Sequence, residues 1–442
     1  MDAPIFDKAA PLNVLILTLG SHGDVHPFVG IATALRDRGH HVTLLTNAVF
    51  ERLAADHGID FEPVGTVEDF HRFAGNPIIW SRTRGAMFVL STIGETIRPA
   101  YEGLKKHLGP NTIVVASTLG LATRVLEEVE GVPAVTVHLA PSIIRSIESP
   151  PKLPGLPPLH WFPKFVAEHF WNGADRFVLD KALGEVNVFR AELGLTEPAE
   201  KLMDAWWHAP HLTLGLWPDW FAPPASDWPK QVELVGFPLY DERDTTSLSP
   251  ELDAWLSEGE PPIAFTPGSA MMFGQKFFKA AAGACERLGR RGLLLSRHVE
   301  HLPQTLPPGV RHESFAPFSQ LLPRCAALVH HGGVGTLSQA LSAGIPQLIM
   351  PMAHDQLDNA DRIKNLGVGD AIHPRRFKPR PVATKLERLL KSPATLQACE
   401  SIARRFEGVD ALRDTAIRLE QFARSKLDVD SRKPRHCVPL GQ

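Results

Sequence analysis

The chain is poor in cysteine, has no long hydrophobic run and carries almost no net charge. Its four cysteines are widely spaced over 442 residues and form no C-x-x-C pair, which argues against a metal site built on cysteine and fits a reducing compartment. No apolar run reaches the roughly 18 residues that a membrane-spanning helix needs, and no basic segment precedes an apolar stretch at the N-terminus. A net charge of −3 gives no reason to expect a nucleic-acid partner. We therefore expect a cytoplasmic protein, and contact with the inner face of the membrane stays open.

Short apolar segments alternate with helix-forming segments along the whole chain. Strands are predicted at residues 13–19, 41–46, 112–117, 134–138 and 212–216, and again at 262–266, 292–296, 310–315, 326–330 and 347–351. Alternation of this kind predicts parallel sheets covered by helices on both faces, so the fold class is α/β. A chain of this length accommodates two such domains.

Two proline-rich segments interrupt the alternation. Residues 142–171 combine prolines with bulky aromatic side chains and are predicted to be an irregular insertion, and residues 216–229 mark the approach to a domain linker. We therefore predict a first domain over 1–225, a second over 226–410, a final amphipathic helix over 411–427 and a disordered tail over 428–442.

The most informative stretch covers residues 330–359. An apolar strand ends in two histidines and is followed by the run G-G-V-G-T at 332–336 and by a helix predicted from Leu337. Glycines at the start of a helix let phosphate oxygens approach backbone N–H groups, and the helix dipole favours negative charge there. His331 can add a side-chain donor and Thr336 a hydroxyl group.

A second polar group follows the next predicted strand of this stretch. Asp355, Gln356 and Asn359 come about twenty residues after the glycine-rich turn, and they offer acceptors and donors at the mouth of the same sheet. Because a site for a diphosphate then lies beside a site for a polyol, the pattern indicates a nucleotide-sugar as ligand.

The stretch resembles the donor-binding signature of glycosyltransferases that use nucleotide-activated sugars and have the glycosyltransferase B fold, the UDP-glycosyltransferase superfamily. The likeness includes G-S-H-G-D-V-H-P-F at 20–28, W-F-A-P-P at 220–224 and H-D-Q-L-D-N-A at 354–360, and it extends to bacterial rhamnosyltransferases of lipid synthesis. It implies two Rossmann-like domains that face each other across a cleft, with the last helix crossing back to the first domain.

The resemblance also assigns the donor site. It implies that His331 and Thr336 contact the donor phosphates, that Asp355 and Gln356 bond the sugar hydroxyls, and that Gln339 stands where many relatives have a ribose-binding glutamate. The remaining donor-site residues implied are Gly268 and Ser269 of a turn beside the diphosphate, Phe315 where plant members stack a tryptophan on the base, and the backbone amides of Gly333 and Val334.

The turn at 20–27 supplies the candidate catalytic residues. It follows the first strand, so it faces the crevice at the carboxyl ends of the sheet. Relatives with a G-H-V-N-P turn place a catalytic histidine where this chain has Asp24, and other relatives carry an aspartate there. Asp24 is therefore the predicted base, and His22 is the alternative. Asp24 also has an ordinary alternative role, as a cap of the helix that is predicted to begin at Pro27.

Taken together, these features predict an inverting glycosyltransferase that needs no metal and no cofactor. The donor is a nucleoside diphosphate sugar, with rhamnose or glucose as the hexosyl group, and the acceptor is an apolar alcohol such as a hydroxy-fatty acid, a sterol or a polyketide. His26, Trp161 and Phe162 are the predicted acceptor-binding residues. The alternatives are a nucleotide-sugar epimerase of the same fold and an inactive nucleotide-sugar-binding protein.

Overall fold

The computed structural model of the chain describes residues 10–430 except 83, 154–158, 178, 242–245 and 269–273, and the side chains of residues 160, 177 and 427–430 are also outside the description. The strands are β1 Asn13–Leu17, β2 His41–Thr46, β3 Asp60–Pro63, β4 Thr112–Ser117, β5 Ala134–His138, β6 Thr213–Gly215, β7 Val232–Leu234, β8 Ile263–Thr266, β9 Gly292–Leu295, β10 Val310–Glu313, β11 Ala327–His330, β12 Gln347–Ile349 and β13 Gly369–Ala371. The α-helices are α1 His22–Asp37, α2 Glu51–Asp56, α3 Val67–Ala74, α4 Gly85–Ser91, α5 Ile93–Lys106, α6 Ala122–Glu130, α7 Lys164–Phe177, α8 Gly184–Glu192, α9 Pro250–Ser257, α10 Gln275–Leu288, α11 Phe318–Leu321, α12 Val334–Ser342, α13 Gln356–Asn365, α14 Pro379–Leu390, α15 Pro393–Ala403 and α16 Ala411–Asp430.

The strands form two parallel sheets, one in each half of the chain. The first sheet has seven strands in the order β3-β2-β1-β4-β5-β6-β7, and the second has six in the order β10-β9-β8-β11-β12-β13. Strands β4 and β5 are buried along their whole length, because a parallel sheet covered by helices on both faces needs apolar side chains on both sides. This arrangement confirms the α/β class and the two-sheet architecture.

The ten predicted strands lie within two residues of their expected bounds, and three further strands were not predicted. The unpredicted strands β3, β7 and β13 all lie at sheet edges and are short and partly exposed, so they lack the apolar run that marks a central strand. Because β7 pairs with β6, the first sheet extends beyond the boundary predicted at residue 225.

The insertion at residues 142–171 is only partly irregular. Helix α7 begins at Lys164, directly after the last proline of the segment, so the expectation of an irregular structure is wrong for its end. Upstream, the backbone N–H of Lys152 donates to Asp358 Oδ1 at 2.9 Å, and Lys152 Nζ lies 2.5 Å from Asp361 Oδ1. The insertion therefore ties the first half of the chain to α13 of the second half.

Helix α16 returns from the second sheet and packs on the first, as predicted. Its residues Leu419 and Phe422 belong to the same buried cluster as Phe28 of α1. Glu420 accepts hydrogen bonds from Arg38 Nη2 at 2.8 Å and lies 2.8 Å from His40 Nε2. The helix continues to Asp430, beyond its predicted end, and residues 431–442 of the predicted tail lie outside the described part of the chain.

Among the helices that the structure describes, none combines the length and the apolar character that crossing a membrane requires.

Candidate active site between the two sheets

The candidate residues lie at the switch point of each sheet, where the strand order reverses. In the first sheet β1 lies between β2 and β4, and in the second β8 lies between β9 and β11. Ligand crevices of open α/β sheets form at the carboxyl ends of the strands at such points. The turns that follow β1, β8 and β11 therefore border the two crevices.

The turn after β1 is also the start of helix α1. The helix begins at His22 instead of at Pro27, so the predicted helix start is wrong. Ser21 occupies the N-cap, and Asp24, at the third helical position, accepts hydrogen bonds through Oδ2 from the Ser21 backbone N–H at 2.7 Å and from its hydroxyl at 2.9 Å. Gly20 has φ +133°, and a Cβ there would lie 2.4 Å from Asp24 Oδ2. The turn is thus shaped around the Asp24 carboxylate.

Asp24 has one oxygen in use and one available. Oδ1 accepts no hydrogen bond from the residues that the structure describes, whereas Oδ2 caps the helix. Burial raises the pKa of Asp24 above the ordinary aspartate value, although the Ser21 hydrogen bonds and His354 act in the opposite direction. A less acidic carboxyl group is a better proton acceptor. Capping and catalysis are therefore compatible in this residue.

The two histidines of the turn are neutral near pH 7. Burial lowers the pKa of His22 to about 4 and that of His26 to about 3, with a further contribution from Arg297 in both. His22 packs edge-on against Phe50 with 5.0 Å between ring centres, and the His26 ring lies 5.5 Å from that of Tyr240. The roles of His22 as alternative base and of His26 as acceptor contact stay predictions.

The turn after β11 leads into helix α12, which begins at Val334, earlier than the predicted Leu337. Gly333 is the N-cap and supplies no side-chain cap, and no acidic residue lies in the first turn. The first N–H groups of α12 and the positive end of its dipole therefore meet no carboxylate of their own helix, and Thr336 adds a hydroxyl group at the third helical position. This start is suited to an external anion.

His331 lies between the two glycine turns of the second sheet. A Cβ at Gly268 would lie 2.6 Å from His331 Cε1, and one at Gly333 would lie 2.6 Å from His331 Nε2, so the ring fits only because both positions are glycine. Its Nδ1 is buried without a hydrogen-bond partner among the described residues, and burial lowers the pKa of His331 to about 4. The neutral ring can donate one hydrogen bond to a ligand. The predicted partner Ser269 lies outside the described residues.

Asp355 and Gln356 stand at the start of α13, beyond β12. Asp355 Oδ2 accepts a hydrogen bond from Asn359 Nδ2 at 2.7 Å, and burial raises the pKa of Asp355 to about 7. Gln356 Oε1 accepts from the backbone N–H groups of Met352 at 2.8 Å and Ala353 at 3.2 Å, which leaves its amide nitrogen for a ligand. The carboxyl group of one residue and the amide nitrogen of the other can thus contact sugar hydroxyls.

Phe315 is the predicted contact of the nucleobase, and Gln339 is the predicted contact of the ribose. The guanidinium carbon of Arg297 lies 5.4 Å from the centre of the half-buried Phe315 ring, so a cation covers part of the proposed stacking surface. Gln339 is buried, and its Nε2 lies 3.5 Å from the backbone oxygen of Tyr240 in the interdomain segment. These two assignments stay predictions.

His354 is a residue that the sequence analysis passed over. It has φ +55°, an unusual conformation for a residue with a side chain, and such conformations concentrate at functional sites. Its ring lies 6.2 Å from that of Trp80 in the first half of the chain. Burial lowers the pKa of His354, whereas the charge of Asp24 across the cleft raises it. His354 and Asp355 therefore bring the loop between β12 and α13 within electrostatic range of Asp24.

Trp161 and Phe162, the predicted acceptor contacts, are exposed. The exposed fraction is 73% for Trp161 and 42% for Phe162, and Phe165 on α7 adds 65%. Three exposed aromatic side chains within five residues form an apolar surface patch of the kind that marks binding sites.

Known families match each half of the chain. The sequence model described as the N-terminal domain of glycosyltransferase family 28 matches residues 14–148. The model described as the C-terminal domain of an erythromycin biosynthesis protein CIII-like family matches residues 293–407.

Relatives of known activity match most of the chain. It is 28% identical over 446 residues to an O-mycaminosyltylonolide 6-deoxyallosyltransferase of Streptomyces fradiae, with 94% of this chain and 98% of the relative covered. It is 26% identical over 387 residues to a sterol 3-beta-glucosyltransferase of Arabidopsis thaliana, with 84% of this chain and 61% of the relative covered.

Solved structures share the fold. The glycotransferase of kitacinnamycin superposes with a TM-score of 0.72 at 18% identity, covering 93% of this chain and 99% of that one. The spinosyn rhamnosyltransferase SpnG gives a TM-score of 0.65 at 18% identity, covering 93% and 100%. Because glycosyltransferase relatives extend along the chain and the solved glycosyltransferase structures share its two-sheet fold, the chain is a glycosyltransferase with the glycosyltransferase B fold.

Proposed function

We propose that this enzyme transfers a hexosyl group, rhamnose or glucose, from a nucleoside diphosphate sugar to a hydroxyl group of an apolar acceptor, with inversion at the anomeric carbon. The observation that carries the proposal is that Asp24, at the start of α1, lies within electrostatic range of His354 and Asp355, just before α13. The His354 ring also lies 6.2 Å from that of Trp80 in the first half of the chain, so the proposed base and the proposed sugar-binding residues border the same cleft.

The reaction is a single displacement. The acceptor oxygen attacks the anomeric carbon, its proton passes to Asp24 Oδ1, and the bond between the anomeric carbon and the diphosphate oxygen breaks. Attack from the face opposite the leaving group inverts the configuration. Asp24 is suited to this step because burial raises its pKa and its second oxygen is held by Ser21.

The departing diphosphate gains negative charge as the bond breaks. The open N-terminus of α12, the Thr336 hydroxyl and the His331 imidazole are the groups proposed to stabilise that charge. Because the pKa of His331 is about 4, its contribution near pH 7 is a hydrogen bond from a neutral ring and not a positive charge. The helix N-terminus therefore supplies most of the electrostatic stabilisation in this scheme.

The nature of the acceptor and donor is supported by the surface patch and by the relatives. Exposed Trp161 and Phe162 favour an apolar acceptor. The relatives include enzymes named for a tylonolide derivative and for sterols, and solved structures of the fold include one in complex with dTDP and one named as a rhamnosyltransferase. These names favour a macrolide-like or sterol-like alcohol and a dTDP-linked sugar, and the resemblance of the donor-binding stretch adds a UDP-linked sugar as the second candidate donor.

A donor panel tests the proposal. The enzyme is incubated with dTDP-rhamnose or UDP-glucose, with and without a sterol, a macrolactone or a hydroxy-fatty acid, and nucleoside diphosphate release is measured. Release that requires an acceptor, with a product of inverted anomeric configuration by NMR, is the expected result. Release without an acceptor, or conversion of the sugar alone, would instead favour the epimerase alternative, and no turnover with measurable donor binding would favour a binding protein.

A further inference from the structure

We propose that Asn359 is a positioning residue that locks the sugar-binding carboxylate of Asp355 to the phosphate-binding turn at Gly332. The inference rests on the proposed function, since it assigns a task to a side chain behind the donor site. It concerns a residue that has no direct contact with donor or acceptor in that scheme.

The geometry of Asn359 is unusual because one amide group joins the two halves of the donor site. Its Nδ2 donates to the backbone oxygen of Gly332 at 2.9 Å and to Asp355 Oδ2 at 2.7 Å. The Gly332 carbonyl can only accept, and the ionised Asp355 carboxylate also accepts, so the nitrogen faces them and this assigns the orientation of the amide. The side chain is fully buried, and a buried hydrogen bond of this kind constrains both groups that it joins.

The other end of the side chain has no compensating contact. Asn359 Oδ1 is buried without a hydrogen-bond partner among the described residues, which costs free energy. An apolar residue would avoid that cost but would remove the donor that Gly332 and Asp355 share. An asparagine at this position is therefore explained by the two bonds that it donates.

Both partners of Asn359 are otherwise held rigidly. Gly332 has φ +101°, and a Cβ there would lie 2.8 Å from Ile349 Cγ2, so the turn admits no side chain. Asp355 is the N-cap residue of α13. The Asn359 side chain thus fixes the distance between the Gly332 carbonyl and the Asp355 carboxylate. In the proposed scheme the first lies beside the phosphate-binding amides and the second binds the sugar.

The same bond favours the ionised form of Asp355. Burial raises the pKa of Asp355, the hydrogen bond from Asn359 lowers it, and the charges of Asp24 on α1 and Asp358 on α13 raise it, with a net value of about 7. His354 is the adjacent titratable group on the same loop. Loss of the Asn359 bond therefore moves the pKa of Asp355 further up, and Asp355 stays protonated to a higher pH.

The chain offers a matched control on the same helix. Asn365 is exposed, and its Nδ2 lies 3.5 Å from Asp361 Oδ2, four residues earlier, the same spacing as between Asn359 and Asp355. Asn365→Ala removes an asparagine-to-aspartate pair from α13 without touching the donor site.

The test measures binding of dTDP, UDP, dTDP-rhamnose and UDP-glucose by calorimetry over a range of pH. Asn359→Ala is expected to weaken the nucleotide-sugar about 5- to 150-fold, more than the nucleoside diphosphate. The pH below which nucleotide-sugar affinity is lost is expected to rise by about 1 unit. In the Asp355→Ala background the Asn359→Ala change is expected to cost no further sugar-specific affinity, because its effect passes through Asp355.

Each alternative outcome is distinguishable. Equal losses for nucleoside diphosphate and nucleotide-sugar, with an unshifted pH dependence, would make Asn359 a structural residue only and overturn the inference, as would additivity with Asp355→Ala. If Asn359→Ala does not fold, the isosteric Asn359→Asp is measured instead, and an unshifted pH dependence there is equally contrary. If the wild-type enzyme binds neither nucleotide-sugar, the proposed function fails, whereas wild-type binding with Asn359→Ala equal to Asn365→Ala rejects only the role of Asn359.

Discussion

The helix starts after β1 and after β11 have similar backbone geometry and differ in the residue at the third helical position. Both follow a strand at a switch point, and both enter the helix through a glycine with positive φ, Gly20 at +133° and Gly332 at +101°. At the third helical position the first has Asp24 and the second has Thr336. In α1, Asp24 accepts hydrogen bonds from the backbone N–H and the hydroxyl of the N-cap residue Ser21. The N-terminus of α12 has neither a side-chain cap nor an acidic residue in its first turn.

This difference explains which helix start can hold a diphosphate. A carboxylate at the N-terminus of α1 already occupies the positive end of the dipole, so an external anion would be repelled there. The start of α12 has no acidic residue in its first turn and lies beside the neutral His331. The same local geometry is therefore suited to a proton acceptor after β1 and to an anion after β11, and the difference depends on the residue at the third helical position.

The largest expected effect is a loss of turnover when the Asp24 carboxylate at the start of α1 is removed. Asp24→Asn is expected to lower turnover by roughly 10²–10⁴-fold, because the amide cannot accept the acceptor's proton. Its oxygen can still accept the Ser21 hydrogen bonds, so stability should change little. Steady-state turnover and urea unfolding measure the two properties.

Asp24→Ala is the matched comparison, because it removes both base and cap. It should lose turnover similarly and in addition lose about 1 kcal/mol of unfolding free energy. Unchanged turnover in Asp24→Asn together with an inactive His22→Ala would transfer the role of base to His22.

The second-largest effect, on nucleotide binding, is expected when the start of α12 is given the acidic residue that α1 has. Thr336→Asp places a carboxylate at the third position of α12, as in α1, and should weaken UDP and dTDP binding on the order of 100-fold. The same change should leave the thermal midpoint unchanged or raise it, because an acidic residue favours a helix N-terminus. Thr336→Val, which removes only the hydroxyl, should cost about 10-fold at most. Equal losses in the two variants would show that the open helix end does not bind the diphosphate.

A smaller effect, selective for the nucleotide-sugar over the nucleoside diphosphate, is expected at Asp355. Asp355→Ala should leave UDP and dTDP binding nearly intact and weaken the nucleotide-sugar by about 1–3 kcal/mol, because a buried partner of the sugar hydroxyls is lost. His331→Ala should weaken both ligands alike. Calorimetry with each ligand separates the two patterns, and equal losses in Asp355→Ala would assign the carboxylate to the fold or to the phosphate site.

The comparison also shows what the sequence could predict. Nine of the ten predicted strands are interior strands, and they were predictable because burial on both faces requires an apolar run. The edge strands β3, β7 and β13 are partly exposed and lack that signal, whereas β10 was predicted although it also lies at an edge and is only partly buried. The start of α1 was missed because the polar run at 20–24 looks like a turn. Ser21 followed three residues later by Asp24 is a recognisable capping pattern, and it could have identified the helix start.

The sequence offers residue types for a candidate site, but it does not show how those residues are connected. His331, Thr336 and Asp355 were chosen from spacing and resemblance. No pattern in the sequence indicates that His354 is electrostatically coupled to Asp24 of the other sheet, or that Asn359 joins Gly332 to Asp355. Such contacts depend on how the two halves and their loops pack, which local periodicity does not encode.

The smallest expected effect concerns the acceptor side of the cleft. Trp161→Ser and Phe162→Ser together should raise the acceptor's KM, by up to about 10-fold, and leave the donor's KM unchanged, because exposed aromatic surface that an apolar acceptor would cover is lost. Since both side chains are exposed in the free enzyme, the unfolding free energy should change by less than about 0.5 kcal/mol for each substitution.

Val188→Ser is the control for that experiment, because Val188 is an exposed apolar residue on α8, 53% accessible, in the same half of the chain. It should change neither KM. If the double variant raises the donor's KM instead, residues 161 and 162 contact the donor. That result would contradict the assignment of the acceptor to the first half of the chain and of the donor to the second. If it loses stability without any change in either KM, the exposed aromatics belong to the packing of α7, and the apolar acceptor must bind closer to the Asp24 turn.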